Sequence, residues 1–341
     1  MKATINDVAA LAGVSIKTVS RVINKEPTVR KQTADKVWVA VKELNYQPNL
    51  AARNLAGNKS YAIGFIYDNP NAYYVIDMQN GILNECKNRG YDLIIHPCSA
   101  RSETIIDELK EMVRSSRVAG LVLTPPFSES PDILNALEQL DVELVRIISG
   151  DAKTHPHIAH ISIDDAKAAS NITEHMINYG HERIAFISGD KGHKSTGERF
   201  KGYQAALKQN HIRYDKKLVI EGSYSFESGV EGAKQLLSGK QKKPSAIFAC
   251  NDEIAAGALF AARLMGVEVP EEVSIAGFED SPFSRQTWPK LTTAQQPNNE
   301  IAQLATSMLI SSLRRTASGK EQPENRHFEP QIVVRDSTAA H

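Results

Sequence analysis

Long apolar runs are missing from this chain of 341 residues. No window approaches the roughly 18 consecutive apolar residues of a membrane-spanning helix, and the N-terminus MKATINDVAA has no secretory apolar core. A cytoplasmic protein with no membrane partner is expected. Cysteine is scarce: Cys86, Cys98 and Cys250 are odd in number and form no CxxC pair, which excludes a disulfide framework and gives no zinc signature. Neither metal nor cofactor is expected. Catalytic signatures are lacking as well. There is no GxSxG elbow and no HExxH pair, and SGDKGHKS has Ser188 and His193 where a phosphate loop requires glycine. Asp164-Asp165 reads as a helix start, so no enzyme is expected. Finally, the chain has no net charge, with 40 basic and 40 acidic side chains.

That balance hides a division. Residues 1–58 carry +5 and the remainder −5, which suggests an anion-binding head on a body of another purpose, although a solvated basic face explains the same surplus. Thr4 can cap a first helix with Asp7 in its first turn, Val8 and Leu11 supply its apolar stripe, and Gly13 stops it. Ser15 can cap a second helix from about Ile16 to Ile23, with Val19 and Val22 or Ile23 packed over Ala9 and Ala10. Two helices joined so tightly make a helix-turn-helix. A third segment, with Ala34, Val37, Val41 and Leu44 at helical spacing, covers them; Trp38 falls off that stripe and is expected partly exposed.

In such a unit the second helix enters the major groove of double-stranded DNA. Its outward residues are Ile16, Lys17 and Arg21. The two cations can donate to guanine O6 and N7, and Ile16 can meet a thymine methyl. Thr4, Ser15, Thr18, Ser20 and Asn24 suit phosphates and caps. Next, YQPNLAARNLAGNKS is broken by Pro48 and leaves a turn or two of helix too short to stand alone. By spacing alone it reads as a linker with incidental leucines, ahead of an apolar wedge between base steps of the minor groove.

These stretches, TINDVAALAGVSIKTVSRVIN and YQPNLAARNLAGNKS, strongly resemble the head and hinge of the lactose/galactose repressor family of bacterial transcription regulators. The resemblance implies a homodimer, or a tetramer built from it, that represses carbohydrate genes from a near-palindromic operator. Paired hinge helices would fold on the DNA, with Leu55 at the position of an intercalating leucine and Asn49 and Ala52 beside it in the minor groove. The expected division is 1–47 for the head, 48–59 for the hinge and 60–341 for the body.

From Tyr61 onward, short apolar runs alternate with helical stretches in two series: AIGFIY, DLIIH, GLVLT and ELVRII, then RIAFIS, LVIEG, SAIFAC and VSIAGF. This is an α/β pattern of parallel sheets flanked by helices, in two lobes. The expected lobes are about 60–160 with 292–320, and about 161–290 with 321–341. Ligands of such sheets bind beyond the carboxyl ends of the strands. Residues there include Asp68 to Tyr74, Thr124 to Phe127, Asp164, Asn251, Asp252 and Glu279 to Ser281, while Asp165 and Ser188 are expected only to cap helices.

The body is similar to the family's effector domain, itself like periplasmic sugar-binding proteins. On that likeness GERFKGYQAAL points to Arg199, CNDEIAAGAL to Asn251 and Asp252, and GFEDSPF to Asp280. Tyr73, Tyr224 and Gln296 complete the set with Phe127 and Asp164. A guanidinium with carboxylates and amides can satisfy vicinal hydroxyls, and aromatic rings can cover a sugar face or sandwich a purine. A mono- or oligosaccharide effector is the expectation. NAYY (Asn71 to Tyr74) and Glu279-Asp280 depart from the family's usual Asn-Pro-Phe-Phe and Asp-Asp, so no relative's ligand can be copied. A cytosolic sugar receptor whose head docks on protein is the rival reading.

Overall fold

The N-terminal unit closes on caps at both ends of its first helix. The computed structural model describes residues 3–23, 29–46, 60–152, 154–238, 242–315 and 325–341. α1 (Ile5–Ala12) opens with a reciprocal cap: Asp7 N donates to the Thr4 hydroxyl at 3.4 Å, and Thr4 N donates to Asp7 Oδ2 at 2.7 Å. Gly13 ends it at φ 65°, the left-handed turn that leads at once to α2 (Ile16–Ile23). Ser15 Oγ accepts from Thr18 N at 3.2 Å and so caps α2. α3 (Lys31–Glu43) covers both, around buried Val8, Ala9, Val19, Val22, Val37 and Ala40. Ala10 and Leu11, expected inside, are exposed, because α1 buries only its Val8–Ala9 side against α2 and α3. Trp38 is exposed, as its place off the stripe predicts.

In the body, β1 (Ala62–Tyr67), β2 (Asp92–Pro97), β3 (Gly120–Leu123), β4 (Glu143–Ser149) and β5 (Ala159–Ile163) alternate with α4 (Ala72–Arg89), α5 (Ile105–Ser116) and α6 (Pro131–Glu138). They build the first lobe. The second holds α7 (Asp165–Asn178), β6 (Ile184–Ile187), α8 (Lys194–Gln209), β7 (Val219–Ile220), α9 (Phe226–Ser238), β8 (Ala246–Ala249), α10 (Asp252–Leu264), β9 (Ser274–Ala276) and α11 (Pro282–Gln286). The chain then runs through β10 (Thr293–Gln295), α12 (Asn298–Arg315), β11 (Asn325–Phe328) and β12 (Gln331–Val333).

The first sheet has the order β11-β5-β4-β3-β1-β2 and the second β7-β6-β8-β9, parallel throughout; β10 and β12 pair antiparallel between them. The lobe boundaries read from sequence are corrected at both ends. β5 stays in the first sheet to Ile163, and Asn325–Phe328 returns to pair with it instead of joining the second lobe. β10 bridges toward the second lobe, with Glu279 beside Gln295. The sequence conceals these because β11 reads NRHF and owes its place to the backbone ladder, not to apolar burial.

The inner strands β1, β3, β4, β6 and β8 are buried on both faces, which explains their continuous apolar runs. Phe65, Val122, Val145 and Ile147 pack against Met78, Ile82 and Leu309; Leu121 and Leu123 face Leu109 and Leu134. Phe186, Phe248 and Tyr203 anchor the second lobe. There α9 and α10 meet so closely that a Cβ at Gly257 would stand 2.0 Å from the Phe226 carbonyl oxygen. No helix among the described residues is long and apolar enough to cross a membrane.

Candidate functional site

Where the two sheets face one another, strand ends and helix starts from both lobes converge. Asn71 caps α4, its Oδ1 accepting from Tyr73 N at 3.1 Å and Tyr74 N at 3.2 Å. Its Nδ2 is thereby aimed across the cleft and donates to Glu279 Oε2 at 2.7 Å, joining the lobes. Glu279 follows β9 on strained backbone, at φ 103°, with Asp280 at φ 55°.

At the centre lies Arg199, fully enclosed on α8. Its Nε donates to Asp165 Oδ1 at 2.7 Å and its Nη1 to Cys250 O at 2.7 Å and Glu279 Oε1 at 3.5 Å, while the guanidinium carbon sits 3.7 Å from the Phe278 ring centroid. Asp165 also accepts from Ser149 Oγ of the first lobe at 2.6 Å. Burial is the largest single effect and opposes the Arg199 charge, but Asp165, Tyr224, Cys250 and Glu279 together outweigh it and the pKa is raised. Burial pushes Glu279 up to about 7, against the pull of Arg199. It does the same to Glu129, up to about 7, whose Oε1 accepts from Ser149 N at 2.7 Å.

Asn71, Ser149, Asp165, Arg199 and Glu279 line a cavity of about 40 Å³ together with Asn69, Tyr74, His193, Ser195, Tyr224 and Gln296. Tyr224 hydroxyl pairs with Thr196 at 2.7 Å, and Gln296 Oε1 has no hydrogen-bond partner among the described residues. An open groove of about 770 Å³ continues outward past Asn69 and His193. At its edge Arg101 donates to Asp190 Oδ2 at 2.7 Å, a further tie between lobes.

Of the expected effector residues, Arg199, Tyr224 and Gln296 stand on the cavity wall. The other six do not. Tyr73 turns away to meet Phe283 edge-on at 5.5 Å, because its neighbour Tyr74 takes the inward position of the helix. Phe127 is core under β3. Asp164 caps α7 by accepting from Lys167 N at 2.9 Å, which leaves Asp165, expected to be the cap, to face the cleft. Asn251 caps α10, and its Nδ2, wholly buried, has no partner among the described residues. Asp252, raised to about 8 by burial, accepts from Thr293 Oγ1 at 2.6 Å and Ser281 N at 2.7 Å, fastening β10 to the second lobe. Asp280 pairs with Arg335 at 2.6 Å and Arg285 at 3.1 Å. Ser149, Asp165, His193 and Ser195 were missed as site residues, while Asn69, Asn71, Tyr74 and Glu279 lay in stretches expected at the strand ends without being singled out. Asn71 and Glu279 had a signal, since both sit in the stretches that depart from the family pattern.

In the head, Ile16, Lys17 and Arg21 are exposed on α2, and Thr18 and Ser20 are half-buried. The Thr4 hydroxyl donates to Asp7 Oδ2 at 2.8 Å, so the cap engages it. Asn24, Asn49, Ala52 and Leu55 lie outside the described residues.

Residues 4–49 match the model of the bacterial regulatory proteins of the lacI family, and residues 173–338 match a periplasmic binding protein-like domain. The HTH-type transcriptional repressor PurR of Proteus mirabilis (strain HI4320) is 33% identical over 341 residues, covering 99% of this chain and 97% of that protein. This chain belongs to the lacI family. A PurR repressor of Photorhabdus laumondii subsp. laumondii is 34% identical, covering 98% of this chain and 96% of that protein. Among solved lacI-type structures, the lac repressor dimer bound to operator and the anti-inducer ONPF is 27% identical, with TM-score 0.77 and full coverage of both chains. The CelR–cellobiose complex is also 27% identical, with TM-score 0.73 over 98% of this chain and 99% of that one. As a lacI-family member the protein is a DNA-binding transcription regulator, and the relatives cited are regulators rather than enzymes.

Proposed function

We propose that the protein is a cytoplasmic repressor that binds a near-palindromic operator as a homodimer, and that a neutral, hydroxyl-rich molecule, a mono- or oligosaccharide, sets its grip on DNA. The observation that carries the effector half is the meeting of Asn71 and Ser149 from one lobe with Asp165, Arg199 and Glu279 from the other around one cavity. Acceptors outnumber cations there, which suits a ligand that donates hydrogen bonds and disfavours a phosphorylated one. A pocket for a small molecule spans about 300–1,000 Å³. The inner cavity is far smaller, so entry requires the lobes to part, and a ligand with unequal affinity for the parted and closed forms shifts their balance. In the head, Lys17 and Arg21 read base edges and Ile16 makes apolar contact, with Leu55 wedged in the minor groove.

A purine base is the second reading, favoured by the two rings, Tyr74 and Tyr224, that the opposed lobes bring to one cavity. A promoter-fragment titration at low ionic strength, repeated with a panel of sugars and purines, tests both halves and reads the sign of the response. Binding that weakens steeply with salt supports the DNA half. Indifference to every fragment, with and without metabolites, overturns it.

A further inference from the structure

β2 is an edge strand of the first sheet, and α5 lies against one face of its carboxyl end. Alternate residues of a strand share a face. Ile94 and Cys98 both pack against the core formed by Ile105, Leu109 and Met112 of α5, which places His96, between them in register, on the same side. The next turn of α5 presents Glu108, and its Oε1 lies 2.9 Å from His96 Nε2. The imidazole nitrogen, the Cys98 sulfur and a Glu108 oxygen all lie within 4.8 Å of one another, each from a half-buried residue.

We propose that His96, Cys98 and Glu108 form a binding site for a zinc-class divalent ion. A tetrahedral ion with nitrogen and oxygen ligands near 2.0–2.2 Å and sulfur near 2.3 Å needs donor separations of roughly 3.3–3.8 Å, within reach of small side-chain rotations from this geometry. Three protein donors leave a fourth position for water. Binding forms a sulfur–metal bond and breaks the S–H bond, the proton passing to solvent. Glu108 and Asp68 both bear electrostatically on the Cys98 sulfur, so a cation bound there is attracted by two carboxylates. Asp68 is itself held in place by accepting from Ala100 N at 2.8 Å.

The site is distinct from the inner cavity, but Cys98 lines the outer groove three residues before Arg101, whose guanidinium ties the lobes through Asp190. An ion there would fix the strand end that carries this tie. The spacing of the cysteines could not reveal the site, because the third donor comes from a helix ten residues on.

The test is titration of the full-length protein with cobalt(II), followed by competition with zinc(II). A thiolate-to-cobalt charge-transfer absorption that zinc abolishes is expected, and it should be lost in Cys98→Ser while Cys86→Ser retains it. His96→Gln should weaken cobalt binding more than about ten-fold and serves if Cys98→Ser does not fold, as judged by its thermal transition. No charge-transfer absorption in the wild type, its persistence in Cys98→Ser, or unaltered affinity in His96→Gln would overturn the assignment.

Discussion

Glu279 stands in surroundings that favour its neutral form and yet touches Arg199 on the cavity wall. With Glu129 it is raised to about 7, and Asp252 to about 8, burial being the first cause in each. A folded pKa above the unfolded value means that the folded chain holds the proton more tightly. The stability these groups contribute is therefore complete below about pH 4 and is lost as pH rises through 7 to 8. For Glu279 the full effect is on the order of 3 kcal/mol. Urea unfolding should show wild-type stability falling between pH 5 and pH 8 and a smaller fall in Glu279→Gln; parallel profiles would count against the buried carboxylate. Arg199→Ala should cost about 3–5 kcal/mol at neutral pH, since it strands Asp165 without its buried partner. An effect below about 1 kcal/mol would mean that water or another cation satisfies Asp165.

At the scale of elements, α2 matters through its cap and its outward face. Ser15→Ala removes the acceptor of Thr18 N and should lower head stability by about 1 kcal/mol, read by thermal unfolding of the full chain. Lys17→Ala leaves the helix intact, because its side chain is exposed. If it reads a base, operator affinity should drop by about 1–3 kcal/mol, with discrimination relaxed at a single base pair. A uniform loss across all sequences would instead assign Lys17 to phosphate. The pair α9 and α10 tests packing: Gly257→Ala forces the helices apart and should destabilise the second lobe by about 1–3 kcal/mol.

For the whole molecule, several of the ties described between lobes are single polar contacts, so their balance can be shifted. Asn71→Asp would set a second carboxylate against Glu279 where a 2.7 Å hydrogen bond now closes the cleft. Above pH 7 the two charges repel, and small-angle scattering should report a larger radius of gyration than for the wild type. Below pH 5 the difference should vanish as the carboxyls protonate. An unchanged radius at both pH values would show that Arg101–Asp190 and the crossing strands hold the lobes without Asn71.

Local order in the sequence was legible wherever burial imposes a period. The head helices, the α/β alternation and helices such as Phe226–Ser238 follow from apolar spacing and caps, because those signals act over a few residues. Arg199 and Tyr224 were likewise readable from the stretches that carry them. What lay beyond local signals was pairing across distance: β11 has no apolar pattern, and it joins β5 only because the intervening residues 164–324 bring its backbone there. The choice between adjacent side chains was hidden for the same reason. Tyr73 and Tyr74, or Asp164 and Asp165, differ by one helical step of about 100°, and only the packed orientation of α4 and α7 decides which of each pair faces the cleft. The amino-acid order by itself thus determined the caps, the helices and the apolar strands, and through its family resemblance that the chain is a DNA-binding regulator. The tertiary structure alone decided which side chains meet, since an enclosed cluster such as Asn71, Asp165, Arg199 and Glu279 exists only once two lobes have closed on it.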